Sequence, residues 1–154
     1  MKNKKELIVI CDNIRSLYNV GSIFRTSDAL GVSKIYLCGI TGTPLQNGLK
    51  KVSLGAEESV EWKHVKSTWR LVEKLKKEGF QIVSLEQSLD SVDIKKFKPK
   101  FPLVLVLGNE VDGVSDSVLK RSDRVIHLPM DGIKESLNVS VAYGVAGYTL
   151  IHKT

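Results

Sequence analysis

Three short clusters hold the residues whose types and spacing could do chemistry. The first, Asn19-Val20-Gly21-Ser22-Ile23-Phe24-Arg25-Thr26, places Arg25 four residues beyond Gly21. In a helix the two share a face turned away from Ile23 and Leu30. A glycine there leaves room beside the guanidinium for a phosphate or a ribose, and the planar fork of arginine suits such oxygens. Asn19 has the short polar side chain of a helix N-cap. Arg25 has a second reading, an ordinary surface pair with Asp28 one turn along.

The second cluster is Leu107-Gly108-Asn109-Glu110-Val111-Asp112-Gly113, in which two glycines bracket a polar turn after a very apolar run. Such a turn lets backbone groups approach a ligand closely. Its spacing is neither the G-x-G-x-x-G of dinucleotide sites nor a Walker P-loop, so phosphate chemistry of those kinds is excluded. The third cluster, Leu128-Pro129-Met130-Asp131-Gly132-Ile133-Lys134-Glu135-Ser136-Leu137-Asn138-Val139, offers hydroxyl and amide groups beside a run of 14 residues that ends at Ile151. Taken singly, Ser136 or Asn138 reads as a cap for a last helix, and Met130 as a filler of core gaps.

Each cluster follows a segment that reads as a strand, which is where open α/β sheets put their ligands. Apolar β-rich runs alternate with helical patterns: a strand at 7–10, a helix through 23–30 closed by Gly31, and a strand at 34–37. A helix over 67–78, stopped by Gly79, leads to a strand at 81–85. A run at 102–107 reads as buried on both faces, followed by a short helix at 116–120 and a strand at 124–128. Residues 138–151 alternate like a strand at first but are long enough for a helix, and helix is the reading adopted. Its small residues Ala142, Gly144, Ala146 and Gly147 would allow close approach of another backbone, as an interface or as core packing. Residues 39–55, rich in Gly, Thr, Pro and Asn, read as a long loop.

With 154 residues the chain has one core, so it is read as a single domain over residues 1–154. The charged start, Met1 to Glu6, runs into too few apolar residues for a secretory signal, and no run is long enough to span a bilayer, so a cytoplasmic protein is expected. Cys11 and Cys38 end two strand-like runs, as small buried thiols do in a reducing compartment, and they form no metal-ligand spacing. A net charge of +6 and a pI near 9.3 make a polyanionic partner plausible. Arg70, Lys74, Lys76 and Lys77, however, read equally well as the solvated face of a helix.

Taken in order, the three clusters and their spacing resemble the three sequence motifs of the SpoU (TrmH-type) RNA methyltransferases of the SPOUT class, and Leu85-Glu86 fits a cofactor-loop position of that family. The resemblance covers nearly the whole chain. It implies an α/β fold with a mostly parallel sheet flanked by helices and a C-terminal trefoil knot. It also implies a homodimer, S-adenosylmethionine as cofactor without a metal, and transfer of a methyl group to a ribose 2′-hydroxyl of RNA. Cofactor positions would be Leu85, Gly108, Asn109, Leu128, Met130, Ser136 and Leu137, largely through backbone groups; Arg25, Asn19, Glu110, Ser136 and Asn138 would face the ribose. An arginine is a poor base, so Arg25 is expected to hold the adjacent phosphate and steady the developing oxyanion while a phosphate oxygen or a neighbouring side chain takes the proton. Without an RNA-binding extension at either end, a compact RNA read by shape is expected, tRNA first and rRNA as the alternative. A non-catalytic RNA-binding protein of the same fold is the reading from another class, and the five polar positions together argue against it.

Overall fold

The most apolar stretch of the chain becomes the middle of the sheet. In a computed structural model describing residues 5–154, β6 (Leu103–Gly108) lies between β1 (Leu7–Asp12) and β4 (Gln81–Leu85), and Leu103 to Leu107 are fully buried. Residues 1–4, most of the charged start, lie outside the described residues. The seven strands, which include β2 (Lys34–Cys38), β3 (Trp62–Val65), β5 (Val92–Asp93) and β7 (Arg124–His127), run in the order β3-β2-β1-β6-β4-β7-β5. Every pairing is parallel, so each strand needs a crossover, and the helices that supply these cover both faces.

Side-chain alternation assigns the two faces. Leu7, Val9, Cys11, Leu103, Leu105 and Leu107 point into the larger core, with α1 (Leu17–Leu30) and α6 (Val139–Ile151); Ile8, Ile10, Val104 and Val106 point to α4 (Thr68–Lys77) and α5 (Asp116–Leu119). Helix α4 fits this split, burying Leu71, Val72 and Leu75 while Arg70, Lys74, Lys76 and Lys77 face outward. Lys76 is spent on structure, pairing with Asp123 at 3.2 Å and donating to the Arg121 carbonyl at 3.0 Å. Both cysteines are buried free thiols, and burial pushes that of Cys38 up to about 12.

Gly31 closes α1 in the left-handed region, as expected. The segment 39–55 is not all loop: α2 (Lys50–Ser53) interrupts it, and α3 (Ala56–Ser59) follows before β3. Helix α2 also corrects the reading of Gly21. That glycine is buried, and a Cβ on it would come within 2.8 Å of Val52 Cβ and 3.0 Å of the Leu49 carbonyl oxygen. Gly21 makes room for α2, not for a ligand beside Arg25. The small residues of α6 likewise meet the same chain: a Cβ on Gly147 would lie 2.8 Å from Leu30, and Gly144 faces Thr26. The residues α6 leaves exposed are instead Val141, Val145 and Tyr148.

Candidate functional site at the carboxyl ends of β4, β6 and β7

The three loops that leave β4, β6 and β7 enclose a cavity of about 220 Å³. Leu85, Gly108, Asn109, Leu128, Met130, Ser136 and Leu137, the seven expected cofactor positions, all line it. So does Glu86, which sequence reading marked only through the Leu85-Glu86 match to a cofactor loop, and so do Gln87 and His127, which motif reading did not single out. Their signal was position: each is the last residue of a strand or lies within two residues of its end. Leu107, Leu128, Met130, Leu137 and Ala142 give the cavity apolar walls. Among its lining residues are two carboxylates, Glu86 and Glu110, and no lysine or arginine. On a chain of net charge +6, this is a local field that favours a cation.

One chain of hydrogen bonds ties the three clusters together at the rim. Helix α1 starts at Ser16, not at the expected Asn19: Ser16 Oγ accepts from the Asn19 amide at 3.2 Å, which places Asn19 inside the first turn. In a capping box that third residue would reach back to the cap's own N–H. Here Glu110, 94 residues further on, does so instead, accepting from the Ser16 amide at 2.8 Å and from the Arg15 amide at 2.9 Å. Asn19 Nδ2 donates to Glu110 Oε2 at 3.0 Å, and Asn19 Oδ1 accepts from Asn138 Nδ2 at 3.1 Å. Asn138 is the N-cap of α6, its Oδ1 accepting from the Ser140 and Val141 amides at 2.9 and 3.3 Å. Backbone donors at one end and a carboxylate at the other fix which way both amides point.

These contacts define what the rim groups can do. Burial disfavours charge on Glu110, but donation by the Arg15 and Ser16 amides, by its own backbone and by Asn19 outweighs it and holds the carboxyl below the usual carboxylate range. A carboxylate so well supplied with donors is a poor proton acceptor. Asn109 is likewise engaged, its Oδ1 accepting from the Val111 and Asp112 amides at 2.8 and 2.9 Å and its Nδ2 donating to the Asn13 carbonyl at 2.7 Å. Its amide and carbonyl both bond Gly113, at 3.0 and 2.9 Å, which closes the loop. Gly108 is required by that closure, since a Cβ there would collide with the backbone of Gly113 and Val114.

Arg25 is not part of this assembly. It sits six residues beyond Asn19 on α1, about 9 Å along the axis, exposed and outside the residues that line the cavity. Nor does it pair with Asp28, which accepts instead from Ser59 Oγ at 2.7 Å; among the described residues Arg25 has no ion pair. Ser136 is exposed at the cavity mouth.

A parallel α/β sheet with apolar-walled space at its carboxyl edge, bounded by three closely tied loops, defines a protein that takes a small organic ligand there. The model of the SpoU rRNA Methylase family matches residues 6–148, and the chain belongs to that family. A tRNA (guanosine(18)-2′-O)-methyltransferase of Aquifex aeolicus is 38% identical over 151 residues, 96% of this chain and 69% of that one. The crystal structure of the A. aeolicus TrmH/SpoU tRNA modifying enzyme has a TM-score of 0.88 at 35% identity, covering 97% of this chain and 76% of that one. An AdoMet-bound rRNA methyltransferase from Sinorhizobium meliloti has a TM-score of 0.89 at 27% identity, covering 96% of this chain and 56% of that one. The chain spans 69% of the Aquifex relative and 61% of a Bacillus subtilis one. Among the described residues no helix is long and apolar enough to cross a membrane.

Proposed function

We propose that this protein transfers a methyl group from S-adenosylmethionine to a ribose 2′-hydroxyl of RNA, in the cytoplasm and as a homodimer. The observation that carries the reading is the cavity at the carboxyl ends of β4, β6 and β7: apolar walls for an adenine ring, backbone groups at three loop starts, and carboxylates with no lysine or arginine beside them for a cationic cofactor. Leu85, Gly108, Asn109, Leu128, Met130, Ser136 and Leu137 would hold it. When bound, the cofactor supplies a methyl group on a sulfonium, whose departure as a thioether needs no acid. The chain's own work is then to align the 2′-oxygen and handle its proton.

Glu110 and Asn19 fix the start of α1 against the cavity rim, and Asn138 does the same for α6. Ser136 offers its hydroxyl at the mouth. Glu110 is a positioning group, since the donors that depress its pKa make it a weak base. Arg25 holds the RNA phosphate and the developing oxyanion. Its place outside its own cavity fits a site completed by a second chain, and the neighbouring surface supports that: Val141, Val145 and Tyr148 on α6 and Tyr18 on α1 are 52, 47, 60 and 65% exposed. The two helices that carry them pack on each other, with Gly144 facing Thr26 and Gly147 facing Leu30. Apolar residues gathered in this way suit a two-fold interface. The C-terminal knot belongs to the same proposal, supported by the return of residues 128–138 from β7 to α6, which packs on α1 and β6. tRNA is the first substrate to test, because the Aquifex relative carries that activity in its name.

The test is incubation of the full chain with methyl-labelled S-adenosylmethionine and separate tRNA and rRNA pools, followed by digestion to nucleosides. Label in a 2′-O-methylnucleoside from tRNA is the expected result. Label from rRNA alone would move the substrate, and label on a base would overturn the reading.

A further inference from the structure

Glu86 and Gln87 leave β4 as consecutive residues and reach toward the loops of the two strands that flank it. Glu86 Oε2 accepts from the Val114 amide at 2.8 Å, on the loop that leaves β6. Gln87 Nε2 donates to the Leu128 carbonyl at 2.7 Å, where the chain leaves β7. The rest of the loop starting at β4 is fastened too: the Glu86 amide donates to the Ile126 carbonyl at 2.9 Å, and Ser91 Oγ lies 2.8 Å from His127 Nδ1. Gly113 shows how closely the carboxylate is fitted. It has φ +70°, and a Cβ on it would run into the Glu86 side chain.

We propose that Glu86 and Gln87 are the cross-brace of the cofactor cavity: positioning residues that set the spacing of its three loops. The proposal rests on the functional reading above. The three loops carry the cavity-lining peptide groups, and β4 is the strand between the other two. Its first two loop residues are therefore the ones that can reach both neighbours. A carboxylate on Val114 and an amide on Leu128 use one acceptor and one donor on backbone groups that do not otherwise continue a sheet ladder at that edge. Losing either bond frees one wall of the cavity relative to the other two, and a ligand held by backbone groups from all three then has to order them on binding.

The probe is S-adenosylhomocysteine, which lacks the sulfonium charge, with S-adenosylmethionine beside it, titrated calorimetrically into the full chain. Glu86→Ala and Gln87→Ala are each expected to weaken S-adenosylhomocysteine binding by at least about tenfold while the variants remain folded by circular dichroism. Glu86→Gln keeps an acceptor for the Val114 amide and should hold that affinity within about threefold of the parent. Gln87→Glu keeps the shape, loses the donor and should behave like Gln87→Ala, so the test survives if one alanine variant does not fold. Unchanged S-adenosylhomocysteine affinity in the folded alanine variants would overturn the brace, whatever happens to S-adenosylmethionine. A loss for S-adenosylmethionine alone would make Glu86 a direct charge partner of the ligand instead. If the parent chain binds neither molecule, the functional reading itself fails and the brace with it.

Discussion

At the carboxyl ends of β1, β6, β4 and β7 the polar side chains are bonded to one another and to backbone, whereas the outer face of α1 and α6 is left open. Asp12, buried at the end of β1, accepts from Thr68 Oγ1 at 2.7 Å and from the amide and hydroxyl of Ser115 at 2.9 and 2.8 Å. Glu86 takes the preceding amide, Val114, from the other side of β6. Glu110, Asn19 and Asn138 continue the pattern along the rim. On the outer face Tyr18, Val141, Val145 and Tyr148 lie in solvent, and Arg25 has no ion pair among the described residues. Helix α1 belongs to both regions, its first turn locked at Asn19 and its next two turns carrying Arg25 outward. The difference teaches that the two halves of the proposed reaction are built differently. The cofactor half is organised within one chain, whereas the RNA half, in the function proposed above, would be completed by a second chain and by substrate.

The largest effect should come from the open face. Arg25→Ala is expected to lower single-turnover methyl transfer by about 10²–10³-fold, the loss typical for one oxyanion-stabilising group. Cofactor affinity by calorimetry should stay near the parent value. Near-normal rates would remove Arg25 from the chemistry. Arg25→Lys should also be impaired, since an ammonium keeps the charge without the bidentate fork.

On the closed rim the strongest test is Asp12→Ala. It strands the Ser115 amide and hydroxyl and the Thr68 hydroxyl, and should lower stability by about 3 kcal/mol in urea unfolding. A loss below about 1 kcal/mol would show that this end of the sheet is held by packing rather than by its carboxylates. Tyr148→Glu addresses the open face as an interface. It should weaken self-association at least about a hundredfold, roughly 2.7 kcal/mol, as read by sedimentation, with the monomer still folded and still binding cofactor. An unchanged oligomeric state would separate the exposed stripe from dimer formation.

The smallest effect is the pH dependence at Glu110. Its carboxyl is held below the usual range in the folded chain, so the folded state binds the proton less well than the unfolded chain does. The stabilisation is therefore fully present above about pH 4.3, the ordinary glutamate value. It is lost as pH falls through the lower folded value. In urea titrations between pH 6 and 3, the stability gap between the parent and Glu110→Gln should shrink toward acid. A constant gap would mean that the α1 cap does not depend on the carboxylate charge.

Sequence reading located most of the frame because the signals are local. β4 falls on residues 81–85 as read, α4 lies within the expected 67–78, and Gly31 ends α1 where a left-handed cap was expected. β3 escaped notice because Trp62-Lys63-His64-Val65 is half polar and becomes a strand by pairing with β2. β5 is two residues held by β7, and α2 and α3 are single turns without a period to detect. The resemblance that named the family rested on three ordered strings, and those strings supplied the expected cavity-lining positions other than Leu85, which came from the Leu85-Glu86 match.

What the sequence by itself determined, then, is the alternation of strands and helices, the composition of each cluster and the family they mark, since each is carried by neighbours within a few turns. Tertiary structure alone decided that Asn19 joins Glu110 and Asn138 across 91 and 119 residues. It also decided that Gly21 admits α2, that Glu86 and Gln87 bridge to flanking loops, and that Arg25 stands outside its own cavity. These depend on which strand lies beside which in a parallel sheet. Its order of β1, β6, β4 and β7 follows from long-range packing and leaves no local trace in the residues it brings together.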